Sequence, residues 1–390
     1  NFITLLRRYT ASSLLNIVGM AIAFASAYMI LVQVNYDLRY NQSIPNADRI
    51  YRLEYPSWTT EGNYGMTWNR LLPQAMCEAC PEVELCANIF TQEVGREFFS
   101  LKRNHAIENI ELSVSRSAKE GFELFSFEII DGTYENLGVH DFIMAESCAN
   151  RYNLQVGDRL HLGKGVQEAN AVFTIVGIYR DHPAPGDLAK IDCFAGFPVI
   201  NEEQEEHEWG YICYVRLSQD ADPIAVAAKM NKWLRDEMQS SGMSTEEIEM
   251  QMKMMAPRLN PYKRLYFATE CEGAETPLGN KTTTLTLLGI AVLILVIAFI
   301  NFVNFFFALI PVRIRAVNTL KIFGAPTLQL RLNFLFETVG LILFSLFGAV
   351  AIVVSEETGR VSIFSNGKYK LQLNEEQLLK LLTQTEMISE

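Results

Sequence analysis

The sequence predicts three transmembrane α-helices carrying a large α+β extracytoplasmic domain of two subdomains. Three observations predict it. Three long runs are almost free of charge, basic residues without acidic ones fill the short segments beside them, and about 250 residues between the first two runs are enough for a separate core.

The runs come first. Leu14 to Val34 is 21 residues without a charge, Leu285 to Val312 is 28, and Leu332 to Val354 is 23 with a single charge, Glu337. A helix rises about 1.5 Å per residue, so even the shortest covers the roughly 30 Å of bilayer hydrocarbon. Arg7 and Arg8 before the first run, with Ala25-Ser26-Ala27 inside it, also fit a signal peptide. The run continues seven residues past Ala27, so a retained helix is the preferred reading.

Charge sets the orientation. Residues 1–13 and 313–331 together hold 6 of the 33 basic residues and none of the 45 acidic ones, in a chain of net charge −12. Basic loops stay cytoplasmic. The expected order is a cytoplasmic segment 1–13, a first span 14–34, an outside domain 35–284, a second span 285–312, a cytoplasmic segment 313–331, a third span 332–354 and an outside tail 355–390.

Within the outside domain, candidate strands are 48–55, 83–90, 159–163, 172–179 and 211–217. Helices are expected at 67–79 and at 224–239, the latter opened by Asp222 and Pro223. Another begins at Ser244, where Ser244 and Glu247 form a capping box. Short strands mixed with amphipathic helices argue for α+β. In the tail, Asn366-Gly367 between two alternating runs predicts a hairpin, and Asn374 predicts the cap of a short helix.

The stretch "RIRAVNTLKIFGAPTLQLRLNFLFE", 313–337, is a helix candidate with a corner. Ala316, Val317, Leu320 and Phe323 fall on one side, and Arg315, Asn318 and Thr319 on the other. Gly324 suits a left-handed cap, and Pro326 suits the first turn of the following helix. The apolar side fits lipid or a cytoplasmic partner.

This stretch resembles the signature loop of the FtsX/MacB-type permeases of ABC transporters: a basic start, a Leu-x-x-x-Gly-Ala corner, then a Glu in the next helix. Leu320, Gly324, Ala325 and Glu337 match it. "GNKTTTLTLLGIAVLILVIAFINFVNFFFALIPVRIR" resembles the family's second membrane helix. "NADRIYRLEY", "MAESCANRYNLQVGDRL" and "VFTIVGIYRDHPAPGDL" resemble its MacB-like extracytoplasmic domain, and the whole resembles large permeases common in Bacteroidota. One departure stands out: Ala316-Val317-Asn318 replaces a frequent Glu-Ile-Gly.

The resemblance implies an inner-membrane permease subunit with a large periplasmic domain, a β-rich insert at about 110–205 and a βαβ subdomain made from both ends. It implies a coupling helix, with Arg315, Val317, Leu320, Lys321, Phe323, Gly324 and Ala325 facing a cytoplasmic ABC ATPase. Expected partners are that ATPase, a second permease copy or half, the lipid bilayer, and a periplasmic adaptor or outer-membrane channel. No nucleic-acid partner is expected. ATP belongs to the partner, and the work is mechanotransmission: export or extraction of peptide, antibiotic or lipoprotein. Regulation of cell-wall hydrolases and ligand sensing are the alternatives. Such permeases have a fourth membrane helix and often a second half, so the chain is expected to be part of a longer permease.

The residues themselves exclude some chemistry. No G-x-x-x-x-G-K-[ST], H-E-x-x-H or G-x-S-x-G occurs, so no catalytic residue and no cofactor is assigned. Glu337 is a membrane-embedded carboxylate, read as an interfacial ion pair or as a relay. "EEQEEHEWG", 202–210, is read as a solvated acidic loop rather than a cation site. "CEACPEVELC" places Cys77, Cys80 and Cys86 close in sequence, fitting free thiols, a disulfide or part of a metal site. With no fourth ligand nearby, no metal site is assigned. The methionines at 250, 252, 254 and 255 fit packing.

Overall fold

The computed structural model describes residues 10–90, 96–103, 106–163, 171–182, 185–198, 201, 204, 207–272, 278–324, 326–357, 361–365 and 368–373. The chain forms two compact units, one of residues 36–281 and one of residues 1–35 with 282–390.

The first helix, α1, runs Thr10–Arg39. Then come β1 (Ile50–Pro56), β2 (Tyr64–Gly65), β3 (Thr67–Trp68), α2 (Leu71–Glu78), β4 (Val83–Phe90), β5 (Arg96–Arg103) and β6 (Ala106–Ser117). They are followed by α3 (Lys119–Leu124), β7 (Ile129–Gly132), β8 (Asp141–Ala145), α4 (Glu146–Tyr152), β9 (Arg159–Leu162), β10 (Val172–Tyr179) and β11 (Cys193–Ala195). The domain ends with β12 (Tyr211–Leu217), α5 (Pro223–Ser240), α6 (Thr245–Met255) and β13 (Arg258–Pro261).

Thirteen strands make one mixed sheet, ordered β11-β8-β10-β9-β5-β6-β4-β12-β1-β13 along its main path. Because β11 also pairs with β6, in parallel, the strands from 96 to 195 close into a ring. Inside it, Phe99, Phe142, Phe173 and Phe194 are buried, with Phe142 stacked on Phe173 at 4.4 Å. β10 shows why: its residues alternate between buried and half-buried, so Phe173, Ile175 and Tyr179 point to one face. Gly132 crosses β10 closely, with φ +74 and space for a Cβ only 2.1 Å from the Val176 carbonyl, so no other residue fits there.

β4, β12, β1 and β13 extend the sheet beyond the ring. The apolar run of β12 serves two cores: Ile212 and Tyr214 face the ring's core, while Cys213, Val215 and Leu217 face a second one with Leu53, Trp68, Met76 and Met230. On β1, Arg52 and Glu54 are buried together. Glu54 receives Arg52 at 2.6 Å, Arg258 at 2.7 Å and the Asn260 amide at 2.9 Å.

The expected caps form. Asp222 accepts from the Ile224 amide at 3.1 Å with Pro223 in the first turn, and Ser244 and Glu247 bond reciprocally. The helix expected at 67–79 is shorter. Thr67 and Trp68 instead pair with β12, where the Trp68 indole donates to the Leu53 carbonyl at 3.0 Å, and Asn69 caps the helix behind them. β2, β3, β5, β6, β7, β8, β11 and β13 have no counterpart among the expected strands.

In the other unit, α7 runs Lys281–Ile322 for 42 residues and α8 runs Thr327–Glu357 for 31. The strands β14 (Val361–Ser365) and β15 (Lys368–Leu373) pair antiparallel as expected. Their Asn366-Gly367 turn, and the helix expected after Asn374, lie outside the described residues. Leu15–Arg39 and Lys281–Ala308 are long and apolar enough to cross a membrane, whereas in α8 the described apolar stretch is Val339–Val350. Two candidate spans are therefore present among the described residues, and the expected third, 332–354, is represented there by that shorter stretch. Large apolar side chains of these helices stand exposed, Leu15 and Phe347 at 77% each, as a lipid-facing surface requires.

Candidate functional site

Two places stand out, one within the domain of residues 36–281 and one at the corner between α7 and α8.

The first is the root of that domain. The Tyr40 hydroxyl donates to Asp187 at 2.7 Å and accepts from Lys190 at 2.7 Å. Asn41 and Asp187 bond twice at 3.0 Å, through the Asn41 amide side chain and through the Asp187 backbone. Tyr266 stacks on Tyr40 at 4.2 Å, and its hydroxyl donates to Asp37 at 2.8 Å. The Gly279 amide donates to the Tyr266 carbonyl at 2.7 Å. A Cβ on Gly279 would lie 2.1 Å from the Tyr266 ring, so only glycine permits this approach. Tyr266 thus ties the end of α1 to the residues that lead into α7. Burial, reinforced by Asp187, pushes the Tyr40 phenol well above its usual range, so Tyr40 stays a neutral donor.

The second is the corner between α7 and α8. Arg315, Val317, Leu320 and Lys321 lie in the last three turns of α7. The segment 313–324, expected as a separate short helix, is the end of one helix that begins at Lys281. Pro311 costs one backbone hydrogen bond and does not end it. The helix stops at Gly324, whose φ of +82 is the left-handed cap expected, with its amide bonded to the Lys321 carbonyl at 3.0 Å. Pro326 sits just before α8, and its carbonyl accepts from the Gln329 amide at 3.1 Å. Ile322 and Phe323 project here, 84% and 83% exposed, and Lys321 is exposed beside them. Ala325 lies outside the described residues. Glu337, expected in the next helix, is the eleventh residue of α8, which starts at Thr327.

The other sequence candidates divide. Glu202, Glu203, Glu205 and Glu206 lie outside the described residues, and Glu208 accepts from the Tyr211 hydroxyl at 3.1 Å. Met252 packs with Leu234 and Ile248, while Met250 is exposed. Cys77 and Cys80 do not pair: Cys77 joins Cys86 and Cys213, which sequence spacing does not bring together. Nothing local in the sequence distinguishes Tyr40, Asp187, Lys190 and Tyr266, and Tyr266 meets Asp37 across 229 positions.

Comparison with known proteins gives the family. The model described as "MacB-like periplasmic core domain" matches residues 13–233. Curated proteins give no match. Among solved structures, a domain assigned to a permease protein from Porphyromonas gingivalis shares 19% identity at TM-score 0.45, covering 63% of this chain and 99% of that one. The periplasmic region of MacB from Actinobacillus actinomycetemcomitans shares 8% at TM-score 0.36, covering 54% and 95%. The extracellular domain of the ABC-type transporter YknZ from Gram-positive bacteria shares 11% at TM-score 0.34, covering 54% and 98%. Since the matched span is more than half of its 390 residues, the chain belongs to the MacB-like periplasmic core domain family, the permeases of MacB-type ABC transporters.

Proposed function

We propose that this permease converts ATP hydrolysis on a separate cytoplasmic ABC ATPase into movement of its periplasmic domain. One observation carries the reading. α7 is uninterrupted from Lys281 to Ile322, so the apolar span and the corner share one rod of about 63 Å, roughly twice the bilayer hydrocarbon. A push at the corner is transmitted along that rod toward Gly279 and Tyr266.

In this reading α8 supplies the third span, 332–354, and the tail emerges outside. Two copies or halves face a pair of ATPase subunits, and Val317, Leu320 and Phe323 seat in an ATPase groove at helical spacing. Arg315 and Lys321 set its orientation by charge, and Gly324 with Ala325 makes the turn. Glu337 is neutralised by an ion pair, since an isolated carboxylate is costly in lipid. Peptides, antibiotics or lipoproteins are moved in the periplasm, with an adaptor or outer-membrane channel receiving them.

Topology tests this directly. Asp220 and Asn318 are both exposed, and the seven native cysteines are buried or half-buried, which keeps background labelling low. In intact cells a membrane-impermeant thiol reagent is expected to label Asp220→Cys and to spare Asn318→Cys until the membrane is opened. Labelling of Asn318→Cys in intact cells, with Asp220→Cys protected, overturns the proposed orientation.

A further inference from the structure

Cysteine spacing singles out Cys77, Cys80 and Cys86, and the fold replaces Cys80 with Cys213. β4 and β12 pair antiparallel, with Cys86 opposite Val215 and Cys213 opposite Asn88. Cys213 and Val215 share a face of β12, so Cys86 and Cys213 are diagonal neighbours on one face of the sheet. The last turn of α2 brings Cys77 over that face. The Cys86 and Cys213 sulfurs lie 3.4 Å apart, and all three sulfurs lie within 4.8 Å of one another.

This spacing fits one ion at the centre. Metal–thiolate bonds of about 2.3 Å in a trigonal plane separate the sulfurs by about 4 Å. Among the described residues no fourth Cys, His, Asp or Glu joins the group. Structural zinc takes four ligands in a tetrahedron, so a three-thiolate set disfavours it, whereas soft sulfur ligands suit Cu(I). The site is also reachable. A surface cleft of about 390 Å³ has Cys77 and Cys86 in its wall, with Glu78, Glu84 and Glu120 around them and one cation, Arg70. Glu84 is paired with Arg49 at 2.8 Å and Arg216 at 3.2 Å, which leaves Glu78 and Glu120 beside Arg70 at the cleft. Cys213, fully buried, closes the inner end.

We propose that Cys77, Cys86 and Cys213 bind one soft monovalent cation, Cu(I), as three thiolates. Three S–H bonds break, three Cu–S bonds form, three protons leave to water, and the copper oxidation state is unchanged. The bound ion would pin α2 to β4 and β12. This site is independent of the transport reading and stands or falls without it.

The test uses the full chain in detergent, reduced with a phosphine and titrated with Cu(I) against the chromogenic chelator bicinchoninate. One Cu(I) per chain is expected to be withdrawn from the chelator, and X-ray absorption is expected to show three sulfur neighbours at about 2.3 Å. Cys86→Ser, at a half-buried position that tolerates the change, is expected to return the copper to the chelator, as is Cys213→Ser. Cys148→Ser and Cys271→Ser, remote from the group, are expected to retain it. No copper retained by the reduced wild-type chain overturns the proposal. So does retention that survives Cys86→Ser, or a Cys86–Cys213 disulfide whose reduction yields no copper binding.

Discussion

Arg52→Ala is expected to destabilise the periplasmic domain by about 3–5 kcal/mol, a large part of the 5–15 kcal/mol that holds a typical domain together. The reason is the carboxylate left behind. Glu54 is fully buried, and Arg52 meets it at 2.6 Å. Burial by itself pushes the Glu54 carboxyl up, and the charges of Arg52 and Arg258 outweigh it, so the group ends below the ordinary carboxylate range. Removing Arg52 leaves Arg258 as the one counter-charge against Glu54 among the described residues, with the Asn260 amide and the Cys271 thiol as neutral donors. The double change Arg52→Met with Glu54→Leu is expected to cost less than Arg52→Ala, because it removes the buried charge along with its partner. All four tryptophans lie in residues 36–281, so tryptophan fluorescence during urea or thermal unfolding reports this domain alone. A single variant as stable as wild type, or a double variant worse than the single one, contradicts the account.

The same group sets an acid limit. A carboxyl with a depressed folded value contributes stability that is fully present above its unfolded value of about 4.3 and is lost as pH falls through the folded value. Glu272 acts in the same direction. Hydrogen bonds from Ser57 and Thr59 hold its carboxyl at about 2, and the Asn63 side chain adds a bond at 3.1 Å. Domain stability is therefore expected to be level on this account from neutral pH to about 5 and to fall below about 4.3.

The second large effect is expected at the corner. Gly324→Val is expected to lower stimulation of the partner ATPase several-fold or more, while Gly324→Asn retains it. A φ of +82 is open to glycine, tolerable for asparagine and strained for a β-branched residue by about 1–2 kcal/mol. A Cβ there meets no heavy atom within 4 Å, so the loss comes from backbone strain and not from a clash. That strain lowers the population of the correct corner roughly 5- to 30-fold. Neither change touches an apolar span, so both chains are expected to insert. ATP hydrolysis measured with the reconstituted pair decides it: stimulation by Gly324→Val equal to wild type removes the corner from the mechanism.

Features with a local cause were legible in the sequence. Asp222-Pro223 and Ser244-x-x-Glu247 cap helices by bonding their own neighbours, and Gly324 ends one because only its own backbone is at issue. β4, β10 and β12 appear at the expected residues, since their apolar patterns outweigh their surroundings. β6 carried a period-two signal, Ile110, Leu112 and Val114 inward between Glu111 and Ser113, that the charges around it obscured. β8, five residues long, is too short for periodicity and is defined by pairing with β10 and β11. The continuity of α7 was hidden by Pro311 and by the change from apolar to basic composition, neither of which breaks a helix already extended on both sides. The junction at Tyr266 and the meeting of Cys213 with Cys77 and Cys86 depend on contacts between distant segments, and no local pattern encodes them.

The central claim is that the end of α7 touches an ATPase, and photocrosslinking from Phe323 tests it most directly. Phe323 is 83% exposed, so a photoreactive phenylalanine analogue there leaves the fold intact. After irradiation of intact cells, the account predicts an adduct with a subunit carrying a G-x-x-x-x-G-K-[ST] motif, identified by mass spectrometry, and no such adduct from Asp220 in the periplasmic domain. Adducts with lipid alone from a correctly inserted chain, or an ATPase adduct from Asp220 and none from Phe323, contradict it.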